Sequence, residues 1–226
     1  MLKIGHRGAM GYQPENTLAS FRQAKKMKVD VIEFDVRRCK SGELVVIHNK
    51  TVNDTTDSKG VVKQLTLEEL KKMDAGNGEK IPTLAEAIYT IGPKMKINIE
   101  LKDQNIAKDV CNFVKNIIKT DKFTYENFIV SSFSKREINN FIKLCPQIKT
   151  GKLVRLFFTG NIFFSKKIKT DFVIIHKYAP FKKILAKKVH RLNKKIGAYT
   201  INNKKQILFL KKNHFDAIFS NFPDRL

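Results

Sequence analysis

The sequence predicts an α/β chain folded as a single (β/α)8 barrel over residues 1–226, slightly short for a class that runs to about 250 residues. Three observations predict it. Eight strand-like runs, at 2–6, 31–37, 96–101, 128–132, 149–154, 172–178, 196–201 and 217–220, recur along the chain with helical segments between most of them. Repeated strand–helix units imply a parallel sheet. The runs are continuously apolar, as in Phe172-Val173-Ile174-Ile175, which suits strands covered on both faces. No Gly-rich phosphate loop follows the first run, so the rival open doubly wound sheet lacks its usual mark.

In order, the first strand is followed by Asn16, a candidate N-cap, and by Leu18, Phe21 and Ala24 on one face of a helix over 17–28. Strands at 31–37 and 44–48 flank Ser41-Gly42, which suits a tight hairpin turn. A two-residue loop pairs Lys40 with Glu43 and sets Asp35 opposite His48. Residues 49–63 read as a polar loop, the start of a small insertion after the second strand unit that reaches about residue 82. Thr66 and Thr83 each precede a Glu by three residues, which predicts capping boxes and helices beginning near 67 and spanning 84–91. Gly92-Pro93 stops the latter. Helices over 104–120, 135–144, 181–194 and 204–212 alternate with the remaining strands.

A length of 226 residues and 42% hydrophobic residues allow one domain with a full core. No apolar run approaches a membrane span, and His6 already lies in the first strand, so no leader is expected. Cys39, Cys111 and Cys145 lack metal-like spacing, and the simplest reading is three free thiols in a reducing, cytoplasmic setting. The net charge of +23 is uneven. Residues 1–113 hold 19 Lys/Arg against 15 Asp/Glu, and residues 114–226 hold 25 against 6. Such a half could serve an anionic partner. The lysines are scattered and no nucleic-acid module is readable, so a solvated surface is the preferred reading and no specific nucleic acid is expected.

Carboxylates inside apolar runs are costly unless paired or bound to metal. Glu33 and Asp35 are two apart on one face of their strand, with Ile32 and Phe34 on the other. Asn98, Glu100 and Lys102 alternate in the same way with Ile97, Ile99 and Leu101. In a barrel, sites lie at the C-terminal strand ends, where His6, Arg7, Glu33, Asp35, Glu100, Lys102 and Tyr199 all fall. Three carboxylates, Glu33, Asp35 and Glu100, can converge on one hard divalent cation, Mg2+, Ca2+ or Mn2+. With Arg7, Lys102 and two histidines, His6 and His48, the set suits a phosphate ester. The bland alternative is a buried salt-bridge cluster in which Arg7, Arg37 and Lys102 partner the acids.

His6-Arg7-Gly8, Pro14-Glu15-Asn16-Thr17, Glu33-x-Asp35, Val46-Ile47-His48 and Asn98-Ile99-Glu100-Leu101-Lys102, in this order, resemble the signature of the glycerophosphodiester phosphodiesterase family. The match continues weakly through Ser131-Ser132-Phe133 and Tyr199-Thr200-Ile201-Asn202 to Pro223-Asp224. The resemblance implies a TIM-type barrel and metal-dependent hydrolysis of small glycerophosphodiesters to glycerol 3-phosphate and an alcohol. It implies His6 and His48 as the acid–base pair and Glu33, Asp35 and Glu100 as metal ligands. Arg7, Lys102 and Tyr199 would contact the substrate. The chain departs from the family pattern at Asn49 and Asn221, where the family usually has aspartate, at Asp54-Thr55-Thr56, and at Tyr199, usually tryptophan.

Alternatives within enzymes are lysophospholipase D or phospholipase C-like action on lipids. A non-catalytic anion-binding module is disfavoured by the intact histidines. Residues 153–164, rich in Leu156, Phe157, Phe158, Phe163 and Phe164 and followed by Lys166, Lys167 and Lys169, could make weak contact with an anionic membrane surface. Packing of those rings onto the barrel wall is the reading preferred for them.

Overall fold

The computed structural model describes residues 1–155 and 169–226, so the aromatic stretch from Leu156 to Phe164 lies outside the described residues. Nine strands are present among those described: β1 (Leu2–Gly5), β2 (Val31–Arg38), β3 (Leu44–Val46), β4 (Lys96–Leu101), β5 (Phe128–Ser132), β6 (Lys149–Val154), β7 (Phe172–His176), β8 (Lys195–Tyr199) and β9 (Ala217–Ser220). All but β3 run parallel, in sequential order, and β1 pairs with both β2 and β9, which closes the barrel. Among the described residues the α-helices are α1 (Leu18–Lys26), α2 (Leu67–Lys72), α3 (Leu84–Ile91), α4 (Ala107–Thr120), α5 (Lys135–Leu144), α6 (Lys182–Arg191) and α7 (Lys204–Lys212).

Strand periodicity sorts the side chains into layers. On β2, Ile32, Phe34 and Val36 face out and pack with Phe21, Ile88, Val110 and Phe141 of the surrounding helices. Val31 faces in and joins Ile4, Ile129, Ile174 and Phe219 in the barrel interior. The same inward row continues upward as Glu33, Asp35 and Arg37, all buried. A separate small core holds the insertion, built on Val45, Ile47, Val52, Val62 and Leu70. Both capping boxes form, Thr66 with Glu69 and Thr83 with Glu86. Gly92, at φ +79, ends α3.

Three expectations are corrected. Thr17, not Asn16, caps α1, because its hydroxyl accepts from Ser20 N–H while Asn16 sits in the left-handed region at φ +59 with its amide turned inward. The hairpin slips by one residue: Arg38 pairs with Leu44 and Val36 with Val46, and Cys39 N–H donates to Glu43 O. Gly42, at φ +103, permits the three-residue loop. Asp35 therefore lies opposite Ile47, not His48, and Ile47 N–H donates to its carbonyl. Last, only Cys39 is a free thiol. α4 packs beside α5, and Cys111 and Cys145, 34 residues apart, form a disulfide there. Nothing in their spacing along the chain marked them as neighbours.

Candidate active site

The first loop is built to place two side chains. After β1, Arg7 takes φ +50 and Gly8 φ +82. A β-carbon on Gly8 would meet Ser20 at 2.4–2.8 Å, so glycine is needed for α1 to pack this closely. Ser20 Oγ donates to Arg7 O and accepts from Ala9 N–H, which locks the turn. His6 projects from the strand end with its Nδ1 2.8 Å from Asn221 Oδ1. Arg7 N–H donates to Glu33 Oε2 at 2.9 Å. The Arg7 guanidinium donates to Glu15 at 2.8 Å, and its Nε lies 3.2 Å from Asp35 as an ion pair without hydrogen-bond geometry.

Glu33, Asp35 and Glu100 bring one oxygen each within 4.8 Å of one another, all buried. β2 and β4 pair in register, Glu33 beside Asn98 and Asp35 beside Glu100, so the grouping follows from strand alternation alone. Their environments differ. Burial pushes Glu33 well above the usual carboxylate range, and the charges of Asp35 and Glu100 add to this. Burial and Asp35 likewise push Glu100 up to about 7, against the pull of Lys102. Burial also acts on Asp35, but Lys102, Arg7 and His48 together outweigh it and hold Asp35 down at about 2. Asp35 is gripped further by Asn16, whose Nδ2 donates to its carboxylate at 3.0 Å and whose Oδ1 accepts from its N–H. Lys102 Nζ donates to Glu100 at 2.8 Å and lies 3.4 Å from Asp35.

Arg7 and Lys102 thus partner the acids, as the bland reading expects, but incompletely. Glu33 receives only a backbone N–H, and Arg37 is spent on a buried pair with Asp103. Three crowded carboxylates, two of them pushed up by burial and then by their neighbours' charge, make an all-oxygen pocket short of positive charge, which suits a divalent cation.

His48 reaches the site in spite of the shifted register. β3 ends at Val46 and the chain bends, so alternation no longer decides where His48 points. Its Nδ1 lies 2.6 Å from Asn49 Oδ1, and Asn49 Nδ2 donates to Asp54. Burial holds His6 down at about 4, helped by Arg7. Burial lowers His48 too, and Asp35 opposes the shift at both rings. Two departures from the family pattern, Asn49 and Asn221, are therefore the imidazole partners themselves. Each ring leans on a neutral amide.

A cleft of about 990 Å3 opens above Glu100 and Lys102 and is lined also by His48, Ser132, Phe133, Lys152 and Arg155. Tyr199 stands at the β8 end with its hydroxyl donating to Val154 O and its ring edge-on to Phe133 and His176. Ser132 bonds Leu101 O, whereas buried Ser131 Oγ and Asn98 Oδ1 have no partner. The sequence reading missed Asn16 and Asn221 as positioning groups, and Lys152 with Arg155 on the cleft wall. Asn16 was visible inside a motif. Asn221 meets His6 only through closure of β9 on β1.

A sequence model of the glycerophosphoryl diester phosphodiesterase family matches residues 6–225. The YhdW protein of Bacillus subtilis (strain 168) is 36% identical over 234 residues, covering 99% of this chain and 96% of that protein. A glycerophosphodiester phosphodiesterase of Bacillus altitudinis is 33% identical over 246 residues, covering 100% and 96%. A solved Oleispira antarctica phosphodiesterase, in complex with the product sn-glycerol-3-phosphate, matches with a TM-score of 0.88 at 29% identity, covering 98% of this chain and 93% of that one.

Proposed function

The chain belongs to the glycerophosphoryl diester phosphodiesterase family, and we propose that it hydrolyses glycerophosphodiesters to sn-glycerol 3-phosphate and an alcohol with the aid of a divalent cation. The observation that carries this reading is the convergence of Glu33, Asp35 and Glu100 within 4.8 Å, beside two cationic and two imidazole side chains. Glu33, Asp35 and Glu100 would hold the cation, with Mg2+, Mn2+ and Ca2+ as the candidates for oxygen ligands. When bound, the cation supplies positive charge against the phosphoryl oxygens.

The remaining roles fall to the chain's own groups. Arg7 and Lys102 stand fixed by carboxylates beside the acidic cluster and add further charge where the phosphoryl oxygens gather. With Asn221 Oδ1 accepting from Nδ1, His6 presents Nε2 with its lone pair free, and a pKa of about 4 keeps the ring neutral near pH 7. His48 is set in the same manner by Asn49. One ring accepts the proton of the attacking oxygen, the pair returns a proton to the departing alcohol oxygen, and the Asp35 charge steadies the imidazolium formed between.

The test is incubation of the pure chain with glycerophosphocholine and several cations. Release of glycerol 3-phosphate and choline is expected with Mg2+, Mn2+ or Ca2+, and none in excess chelator. Glu100→Gln should weaken cation affinity while the circular dichroism spectrum is kept. Full turnover in excess chelator overturns the reading.

A further inference from the structure

Between Asp171 and Asp216 the chain carries twelve Lys/Arg and no Asp or Glu. This stretch supplies β7, α6, β8 and α7; Asp171 and Asp216 at its two ends reach Lys194 and His190, whereas Lys177, Lys182, Lys183 and Lys205 line grooves with no acidic residue on their walls. On that side large apolar groups face outward. Phe181 is 74% exposed, Tyr178 62%, Ile184 51% and Phe209 47%. They are not scattered. Phe181, Ile184 and Phe209 line one shallow groove of about 490 Å3, and Phe209 also borders a second of about 320 Å3 with Lys177, Lys182 and Lys205. Lysines and apolar groups therefore interleave on one surface.

Phe181 adds an independent observation. It precedes α6 at φ +51, in the left-handed region where a β-carbon is crowded, and its side chain makes no capping bond. A bulky aromatic held there and turned to solvent is a strained arrangement that packing does not repay, the kind of outlier that clusters at functional surfaces.

The patch also has a defined place relative to the site. The loop holding Tyr178 leaves the C-terminal end of β7, on the catalytic side of the barrel. Ring contacts run inward from it: Tyr178 to His176 at 5.4 Å, His176 to Tyr199 at 5.4 Å, Tyr199 to Phe133 at 5.9 Å. Lys102 Nζ lies 5.7 Å from the Phe133 ring. An unbroken row of rings connects the outer patch to the site.

We propose that the face formed by the loop at 177–181 and the adjoining sides of α6 and α7 docks on the surface of an anionic phospholipid bilayer. Tyr178, Phe181, Ile184 and Phe209 enter the boundary between headgroups and acyl chains, and the lysines lie against lipid phosphates. Docking there holds the cleft mouth toward the membrane. Charge complementarity selects this occupant. A second copy of the chain would bring the same uncompensated lysines against these ones. Nucleic acid would use the cations and could stack on the rings, but an exposed Ile184 is left without use there, and the grooves are lined by lysine rather than the forked guanidinium suited to bidentate phosphate contact. Amphipathic surfaces with Lys on the polar part and Phe on the other bind anionic interfaces. The inference does not depend on the catalytic reading, since it is tested by binding.

The experiment is cosedimentation of the full chain with phosphatidylcholine vesicles, with and without phosphatidylglycerol, at low and high salt. Binding is expected only with phosphatidylglycerol and is weakened by salt. Phe181→Ser should lower vesicle affinity about tenfold while salt dependence remains. Replacing Lys182, Lys183 and Lys205 together by Gln should flatten the salt dependence. Both variants should hydrolyse soluble glycerophosphocholine as the parent does, a readout that also reports folding. Three results overturn the proposal: no binding to phosphatidylglycerol vesicles at low salt, binding unchanged by Phe181→Ser, or displacement of the vesicles by duplex DNA with DNA affinity lowered by the same substitutions.

Discussion

Arg7, Arg37 and Lys102, in the part of the barrel built by β1, β2 and β4, each face a carboxylate. Lys182 and Lys205, beside β7 and β8, line a groove with no acidic residue on its wall. Both regions use the same parallel scaffold, with strands paired in the same sequential manner. They differ in what the C-terminal strand ends carry. In the first, cations are buried with acids in a fixed lattice, where removing one partner leaves the other charge uncompensated. In the second, Lys205 is exposed and Lys182 half-buried, neither is held in an ion pair with a carboxylate among the described residues, and removing either costs little. One fold thus keeps a pre-organised electrostatic site on one side and an uncompensated basic surface on the other, because β-strand register governs the first and surface composition the second.

The largest effects are expected where the lattice meets the imidazoles. His6→Ala and His48→Ala should each lower turnover on glycerophosphocholine by roughly 10²–10⁴-fold, with cation affinity, read by titration calorimetry, kept. A variant that retains near-normal turnover removes that histidine from the acid–base pair.

The next prediction sharpens the role of the neutral amides. Asn221→Asp adds a carboxylate to His6 Nδ1 and stabilises its charged form, so the folded pKa rises from about 4. A ring that must be neutral to accept a proton loses activity as pH falls through its pKa. The acidic limb of the kcat/KM profile should therefore move to higher pH by about one unit. An unmoved limb would show that His6 does not set it.

The smallest effects test the contrast directly through stability. Lys102→Gln leaves Asp35 and Glu100 without their shared cation, and unfolding in urea without added divalent ion should show a change well above 1 kcal/mol, on the order of 3. Lys187→Gln, on the exposed side of α6, should stay within about 0.5 kcal/mol. Equal effects would erase the distinction between the two regions.

The sequence by itself determined the barrel and the composition of the acidic cluster. The eight strand-like runs carried the period of the fold, and the alternation in Ile32-Glu33-Phe34-Asp35 and in Asn98-Ile99-Glu100 placed the acids inward before any coordinates, because residues two apart on a strand share a face whatever the strand packs against. The capping boxes at Thr66 and Thr83 were legible for the same reason, being contacts between residues three apart. Only the tertiary structure decided the rest. The hairpin register depends on whether Gly42 opens a three-residue loop, and His48 reaches the site through a bend that pairing rules do not encode. Asn221 meets His6 across 215 positions because β9 closes on β1. Cys111 and Cys145 meet because α4 lies along α5. Contacts within a few residues are set by local backbone geometry, which the sequence carries. Contacts across hundreds of positions are set by how the layers close, and that follows from the summed packing of the whole chain.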